Sequence, residues 1–301
     1  MIQSLGFIGR HGRWSLVAGL IAGFALPGVA VALRDWLPHF IAALLFISAY
    51  RIGPRAVFGS LTDLRHTALH ILVLQLGAPL FAIGALTIAG MLHLMPALAF
   101  VLVLAAPSVT GAPNFAILMG KDPGRAMQLL LVGTALFPLT VIPVLWAIPA
   151  ISTVSEVLLS AARLLGVIVL AVGAAFLLRR DRSLSDGNRD ALDGIAAVLL
   201  AVLVIGLMSA MGPALRETPC ELFLWLAFAL VLNFGLQLNA YAFMAKKNAG
   251  VAIVTGNRNI ALFLVALPPD IVDELLLFIG CYQIPMYLTP LVMRRVMRSG
   301  A

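Results

Sequence analysis

Apolar runs long enough to cross a bilayer follow one another from Trp14 to Met293, interrupted only by short charged stretches. A helix needs about 20 mainly apolar residues to span the hydrocarbon layer. Inside that layer every backbone N–H and C=O needs an internal partner, so only helices and closed barrels cross it. Runs of this length, without two-residue alternation, leave helices. The composition agrees, with 62% of the 301 residues hydrophobic and 11% charged, against about 25% charged in soluble domains. The chain reads as an all-α polytopic membrane protein whose main solvent is the lipid bilayer.

The runs divide into ten transmembrane helices at 14–33, 36–50, 67–91, 94–119, 124–148, 157–178, 191–212, 219–245, 248–267 and 271–293. Sixteen of the twenty basic residues fall on one side of such a ten-span plan: Arg10, Arg13, Arg51, Arg55, Arg65, Lys121, Arg125, Arg179, Arg180, Arg182, Arg189, Lys246, Lys247, Arg294, Arg295 and Arg298. By the positive-inside rule both termini are then cytoplasmic, and the expected location is a plasma membrane of bacterial type. The net charge of +7 is thus a topology signal, and no nucleic-acid partner is expected. Arg10 and Arg13 before a run ending Ala30-Val31-Ala32 also resemble a signal peptide. Its loss would leave nine spans and reverse the charge bias, so the run is read as span 1. Trp14, Trp36, Trp146 and Trp225 lie towards span ends, as an aromatic belt does.

Two stretches 145 residues apart nearly repeat one phrase: Val109-Thr110-Gly111-Ala112-Pro113-Asn114 and Val254-Thr255-Gly256-Asn257-Arg258-Asn259. Two further matches run in the same order. Leu72-Val73-Leu74-Gln75-Leu76-Gly77 pairs with Leu230-Val231-Leu232-Asn233-Phe234-Gly235, and Gly133 with Pro138 and Pro143 pairs with Gly280, Pro285 and Pro290. Apolar helices resemble one another, which accounts for the Leu-Val-Leu runs but not for shared T-G-x-x-N, amide and proline positions. The expectation is two inverted five-helix repeats, residues 1–150 and 151–301, the second entering the membrane upside down because five is odd. Gly19, Gly23, Gly28, Gly166, Gly173 and Gly206 in spans 1, 2, 6 and 7 suit close helix packing, and Arg179–Asp193 reads as a solvated linker between the halves.

Polar helix breaks inside a membrane survive only where protein or a water-filled cavity surrounds them. Pro107, Gly111 and Pro113 predict a broken helix 4, since proline removes a donor and clashes with the preceding turn. Gly256, with Asn257 and Asn259, permits the same in helix 9. Half-helix C-termini favour cations and half-helix N-termini favour anions. Thr110, Asn114, Thr255, Asn257, Arg258 and Asn259 are therefore candidate substrate-binding residues, with Gln75 and Asn233 as a polar or ion site on neighbouring helices. The simpler alternative is that these groups satisfy each other's broken backbone. Arg258 is the sharpest case, because arginine at the bilayer centre costs roughly 2.5–3.5 kcal/mol and no Asp or Glu lies in the interior of a span to pair with it, Asp193, Glu221, Asp273 and Glu274 all falling at span ends. A substrate carboxylate, which a guanidinium binds through two parallel hydrogen bonds, is one partner; the carbonyls of the broken helices are the other. His66 and His70 have i, i+4 spacing but no third ligand nearby, and Cys220 and Cys281 lack metal spacing, so no metal or cofactor is expected.

These breaks resemble those of the bile acid:sodium symporter superfamily, whose fourth helix carries P-G-G-T-x-S-N and ninth helix E-x-G-x-Q-N. Here the corresponding segments read Pro107-Ser108-Val109-Thr110-Gly111-Ala112-Pro113 and Val254-Thr255-Gly256-Asn257-Arg258-Asn259. The resemblance implies broken helices 4 and 9 that cross, a core domain from spans 3–5 and 8–10, and a panel domain from spans 1, 2, 6 and 7. It also implies a secondary transporter of small organic anions (bile-acid-like, keto-acid-like or pantothenate-like) working by alternating access. Thr110 and Asn259 align with substrate-contacting positions, and Gln75 is the one sodium ligand carried over. The family's glutamate is Val254 here and its glutamine is Arg258, a reversal by about two charge units. Like charges a few ångströms apart repel by about 4 kcal/mol at an effective dielectric of 20, so coupling sodium is disfavoured and Arg258 is expected to supply the positive charge. An auxin-efflux-type carrier shares the inverted plan and is the alternative. An intramembrane enzyme would need paired carboxylates or a metal motif, which the spans lack.

Overall fold

The computed structural model describes residues 12–53, 64–148, 154–179, 184–243 and 249–297. Of the charge pattern, Arg10, Arg55, Arg180, Arg182, Lys246, Lys247 and Arg298 lie outside the described residues, as does the side chain of Trp14. Regular structure among the described residues is helical. In chain order it comprises α1 (Gly12–Ala25), α2 (Pro27–Arg34), α3 (Leu37–Ile52), α4 (Leu64–Leu72), a π-turn (Val73–Gly77), α5 (Ala78–Ile88), α6 (Met95–Ala105), α7 (Ala112–Leu118), α8 (Gly124–Trp146), α9 (Val154–Arg179), α10 (Asp186–Leu207), α11 (Met211–Glu217), α12 (Pro219–Phe243), α13 (Ala249–Gly256), a 3-10 turn (Ile260–Leu262), α14 (Phe263–Ala266) and α15 (Pro269–Val296).

Among the described residues, six continuous stretches are long and apolar enough to cross a membrane: Leu64–Ile88, Gly124–Trp146, Ala162–Arg179, Asp186–Glu217, Pro219–Phe243 and Pro269–Val296. Several such helices in one chain make this an integral membrane protein. Expected span 1 differs from a straight crossing, because α1 and α2 meet at 104°. Pro27 starts α2 at its first turn, the position a residue without an N–H tolerates, and cannot continue α1. The segment expected as span 2 holds the shorter α3, and those expected as spans 4 and 9 hold broken helices, none of them long enough to count among the crossing stretches. Helices α8 and α15, by contrast, continue through Pro138, Pro143, Pro285 and Pro290.

The chain divides into two compact units, one of residues 1–61, 165–224 and 279–281, the other of residues 62–164, 225–278 and 282–301. In the first, α10 packs along α1, α2 and α3. Close approach there depends on three of the expected glycines: a methyl on Gly19 would meet Ala201 O at 2.8 Å, one on Gly23 the Met208 side chain at 2.6 Å, and one on Gly206 the Leu37 side chain at 2.7 Å. Gly28, Gly166 and Gly173 have nothing within 4 Å of such a methyl, so the packing role expected of them is absent. The expected linker is also corrected. Ser185 caps α10, its hydroxyl accepting from Asn188 N at 3.4 Å, so Asp186–Asp193 forms the first turns of a helix. Asp193 then pairs with Arg51, and the Arg179 guanidinium donates to the carbonyls of Tyr50 and Arg51 at the end of α3.

In the second unit, Ile71, Phe115, Ala126, Leu129, Ala252, Met286 and Met293 form part of a dense apolar cluster around the two broken segments. Trp225 is buried there against Phe228 and Phe278, whereas Trp36 and Trp146 are exposed. Helices α5 and α7 both end in a Schellman motif. Met91 N donates to Leu86 O at 2.8 Å and Lys121 N to Ala116 O at 2.9 Å, each following a glycine at positive φ, Gly90 (68°) and Gly120 (71°). Only glycine visits that region without steric cost. A methyl on Gly120 would touch nothing within 4 Å, so Gly120→Ala isolates the backbone term. The substitution should lower stability by about 1–2 kcal/mol, read as a fall in thermal-unfolding midpoint in detergent.

Candidate functional site

Helix α6 stops because Pro107 cannot extend it: the preceding Ala106 is driven into extended conformation, at φ −61° and ψ 146°, as the proline ring requires. Helix α13 stops without a proline. Its terminal carbonyls are instead taken by side chains: Asn257 Nδ2 donates to Ile253 O at 2.8 Å, and Arg258 Nε donates to Thr255 O at 2.9 Å. The two extended segments that follow then pair with each other. Ser108 and Arg258 form an antiparallel bridge, with Val109 N donating to Asn257 O at 2.9 Å and Asn259 N to Pro107 O at 2.8 Å. Each break thereby satisfies backbone groups of the other, which apolar surroundings would otherwise leave costly.

The repeated phrase does not set which residues meet. Ser108 sits opposite Arg258, whereas the phrase aligns Arg258 with Pro113. Val254-Thr255-Gly256 lies in the helix before its break, whereas Val109-Thr110-Gly111 lies after the bridge and leads into α7. Similar letters occupy different positions because T-G-x-x-N suits either side of a helix end. Gln75 and Asn233 also differ. Gln75 lies in the π-turn and donates to Gly133 O at 3.2 Å, while Asn233 lies in regular helix and donates to Gly256 O.

Arg258 is 1% exposed and no carboxylate pairs with it among the described residues. Its Nη1 donates to Ala106 O at 2.9 Å and its Nε to Thr255 O; Nη2 has no hydrogen-bond partner among the described residues. The guanidinium therefore bridges the carboxyl ends of α6 and α13. Each helix C-terminus carries about −0.5 elementary charge, so two together amount to about the charge that one guanidinium offsets. Of the two partners open to Arg258 from sequence, the helix carbonyls hold it in this structure. The second halves of both broken segments are short, about two turns in α7 (7 residues) and one in α14 (4 residues), too short for the anion-attracting N-terminus expected from the breaks.

The remaining candidates separate into two groups. Thr255 and Asn257 are buried and engaged, Thr255 Oγ1 donating to Val251 O at 2.7 Å. Thr110 and Asn259 are half-exposed, Asn114 is exposed, and their side chains hold no hydrogen bond to another described residue. Behind Asn257 lies a polar chain with no motif in the sequence. Gln237 Nε2 donates to Asn233 Oδ1 at 2.7 Å and to Thr289 Oγ1 at 3.0 Å, and the Thr289 hydroxyl donates to Asn257 Oδ1 at 3.0 Å. Tyr282 OH donates to Gly256 O at 2.6 Å. The one available signal was the i, i+4 spacing of Asn233 and Gln237, which places two amides on one helix face. His66 and His70 join no metal-ligand group among the described residues; the His70 ring instead lies 3.2 Å from Arg125 Nη2 and 2.6 Å from His66 O. No family model matches the chain, and no curated protein matches it.

Proposed function

We propose that this protein is a secondary transporter that moves a small organic anion by alternating access, with no sodium site at its crossing helices. The observation that carries the reading is the Arg258 guanidinium, donating at 2.9 Å to both Ala106 O and Thr255 O. Two helix C-termini converging in a membrane interior attract a cation, and here the chain supplies its own. That fits a divergent, sodium-free member of the bile acid:sodium symporter superfamily, built as two inverted five-span halves with both termini cytoplasmic in a bacterial-type plasma membrane. Substrate contact falls to Thr110, Asn114 and Asn259, whose polar groups flank the bridge and are not engaged elsewhere. Arg258 acts on an anion by neutralising the two helix ends, so that their negative charge does not repel it at the crossing.

The test is uptake of a labelled bile acid, a keto acid and pantothenate into proteoliposomes, in sodium and in choline. One class should enter at a rate unchanged by choline. Transport that collapses without sodium would overturn the resident-cation reading, and no uptake of any of the three would overturn the substrate class. An auxin-efflux-type exporter would also need no sodium; substrate movement only outward in oriented vesicles would favour it.

A further inference from the structure

The two breaks are held very differently. Gly256 O, the last carbonyl of α13, accepts from Tyr282 OH on α15 and from Asn233 Nδ2 on α12. One residue on, Asn257 Oδ1 accepts from Thr289 on α15, which in turn accepts from Gln237 on α12. Asn233, Gln237, Asn257, Tyr282 and Thr289 are all 0% exposed. At the first break the Ser108 hydroxyl reaches only the adjacent Val109 O, at 3.3 Å, and Thr110 and Asn114 hold no side-chain hydrogen bond to another described residue.

We infer that Tyr282, Asn233, Gln237 and Thr289 form a latch that fixes the second break to α12 and α15, so that Arg258 is positioned from that side and the first break is the deformable partner. Buried, connected polar networks of this kind rigidify what they join. The latch locates motion within the crossing: any change in the bridge displaces residues 106–111 while residues 256–259 stay with their helices. Tyr282 and Thr289 are positioning residues, acting through the Gly256 carbonyl and the Asn257 amide. The inference goes beyond the transport reading and does not depend on it, since its test reads the protein without any substrate.

That test is amide hydrogen exchange by mass spectrometry on the purified full chain in detergent, for wild type, Tyr282→Phe, Thr289→Val and Thr289→Ser. Loss of one latch hydrogen bond should speed exchange across residues 249–262 by about tenfold and leave residues 106–111 unchanged apart from Val109, whose N–H pairs with Asn257 O. Wild-type protein should already exchange faster at 106–111 than at 256–259. Thr289→Ser keeps the hydroxyl and should restore wild-type exchange. If Tyr282→Phe does not fold, the two Thr289 variants decide the matter alone. Unchanged exchange over 249–262 in Thr289→Val, equal acceleration of both breaks, or a serine variant no better than valine would each overturn the latch. Failure of the uptake experiment would leave these outcomes untouched.

Discussion

Arg258→Met should be among the most damaging single substitutions in this chain, costing roughly 3–5 kcal/mol of stability. Two buried carbonyls, Ala106 O and Thr255 O, would each lose a charged donor, and hydrogen bonds to charged groups are worth about 1.5–3 kcal/mol apiece. Arg258→Lys should recover about half of that loss, because an ammonium keeps the charge but lacks the planar fork that reaches two carbonyls at once. The measurement is the thermal midpoint of the purified protein. The methionine variant should also be stabilised by sodium chloride over choline chloride at equal ionic strength, since the helix ends regain their unbalanced negative charge. Wild type should show no such preference. A wild-type midpoint for Arg258→Met would mean that the guanidinium is not what joins the two helix ends.

Gly256→Ala should be comparably harmful, by about 3 kcal/mol, the upper end of the usual cost of forcing a methylene into a packed site. The added methyl would overlap Asn233 O, a backbone atom that cannot move aside, and the Gln237 side chain. Gly166→Ala and Gly173→Ala, with nothing within 4 Å of the new methyl, should instead gain about 0.5–1 kcal/mol from the better helix propensity of alanine. Thermal unfolding of the three variants separates them by sign. If Gly256→Ala matched the other two, α12 and α13 would not approach as closely as described.

The two helix breaks were legible in the sequence for unequal reasons. Pro107 removes a donor and restrains Ala106, a local effect that any reading of the chain can find. At the end of α13, Asn257 and Arg258 turn back onto Ile253 O and Thr255 O, but the extended segment that follows is held by pairing with the end of α6 and so is set by tertiary structure. The same limit applies to the repeated phrase: matching letters aligned a helix end with a helix start, and only the paired backbone shows which residue faces which. Tyr282 and Thr289 escaped notice because single polar residues in an apolar helix carry no pattern, and the burial of Trp225 and the helical form of the last residues of the expected linker escaped it for a similar reason. Burial of Arg258 was expected from its span. Its partner was narrowed to two, a substrate carboxylate or the carbonyls of the broken helices, because an arginine facing an anion and one capping carbonyls look identical in a linear chain.

The crossing itself is tested most directly by a cysteine pair at Pro107 and Asn259 in a background lacking Cys220 and Cys281. Asn259 N donates to Pro107 O, and directly opposed antiparallel residues of this type have Cα atoms about 5.5 Å apart, within disulfide range. Mild oxidation in native membranes, followed by proteolysis and mass spectrometry, should yield a disulfide joining the two peptides, while Pro107→Cys with Leu264→Cys gives none. Free thiols at 107 and 259 that label fully with maleimide yet never join would contradict the paired breaks, and with them the placement of Arg258 on which the transport proposal rests.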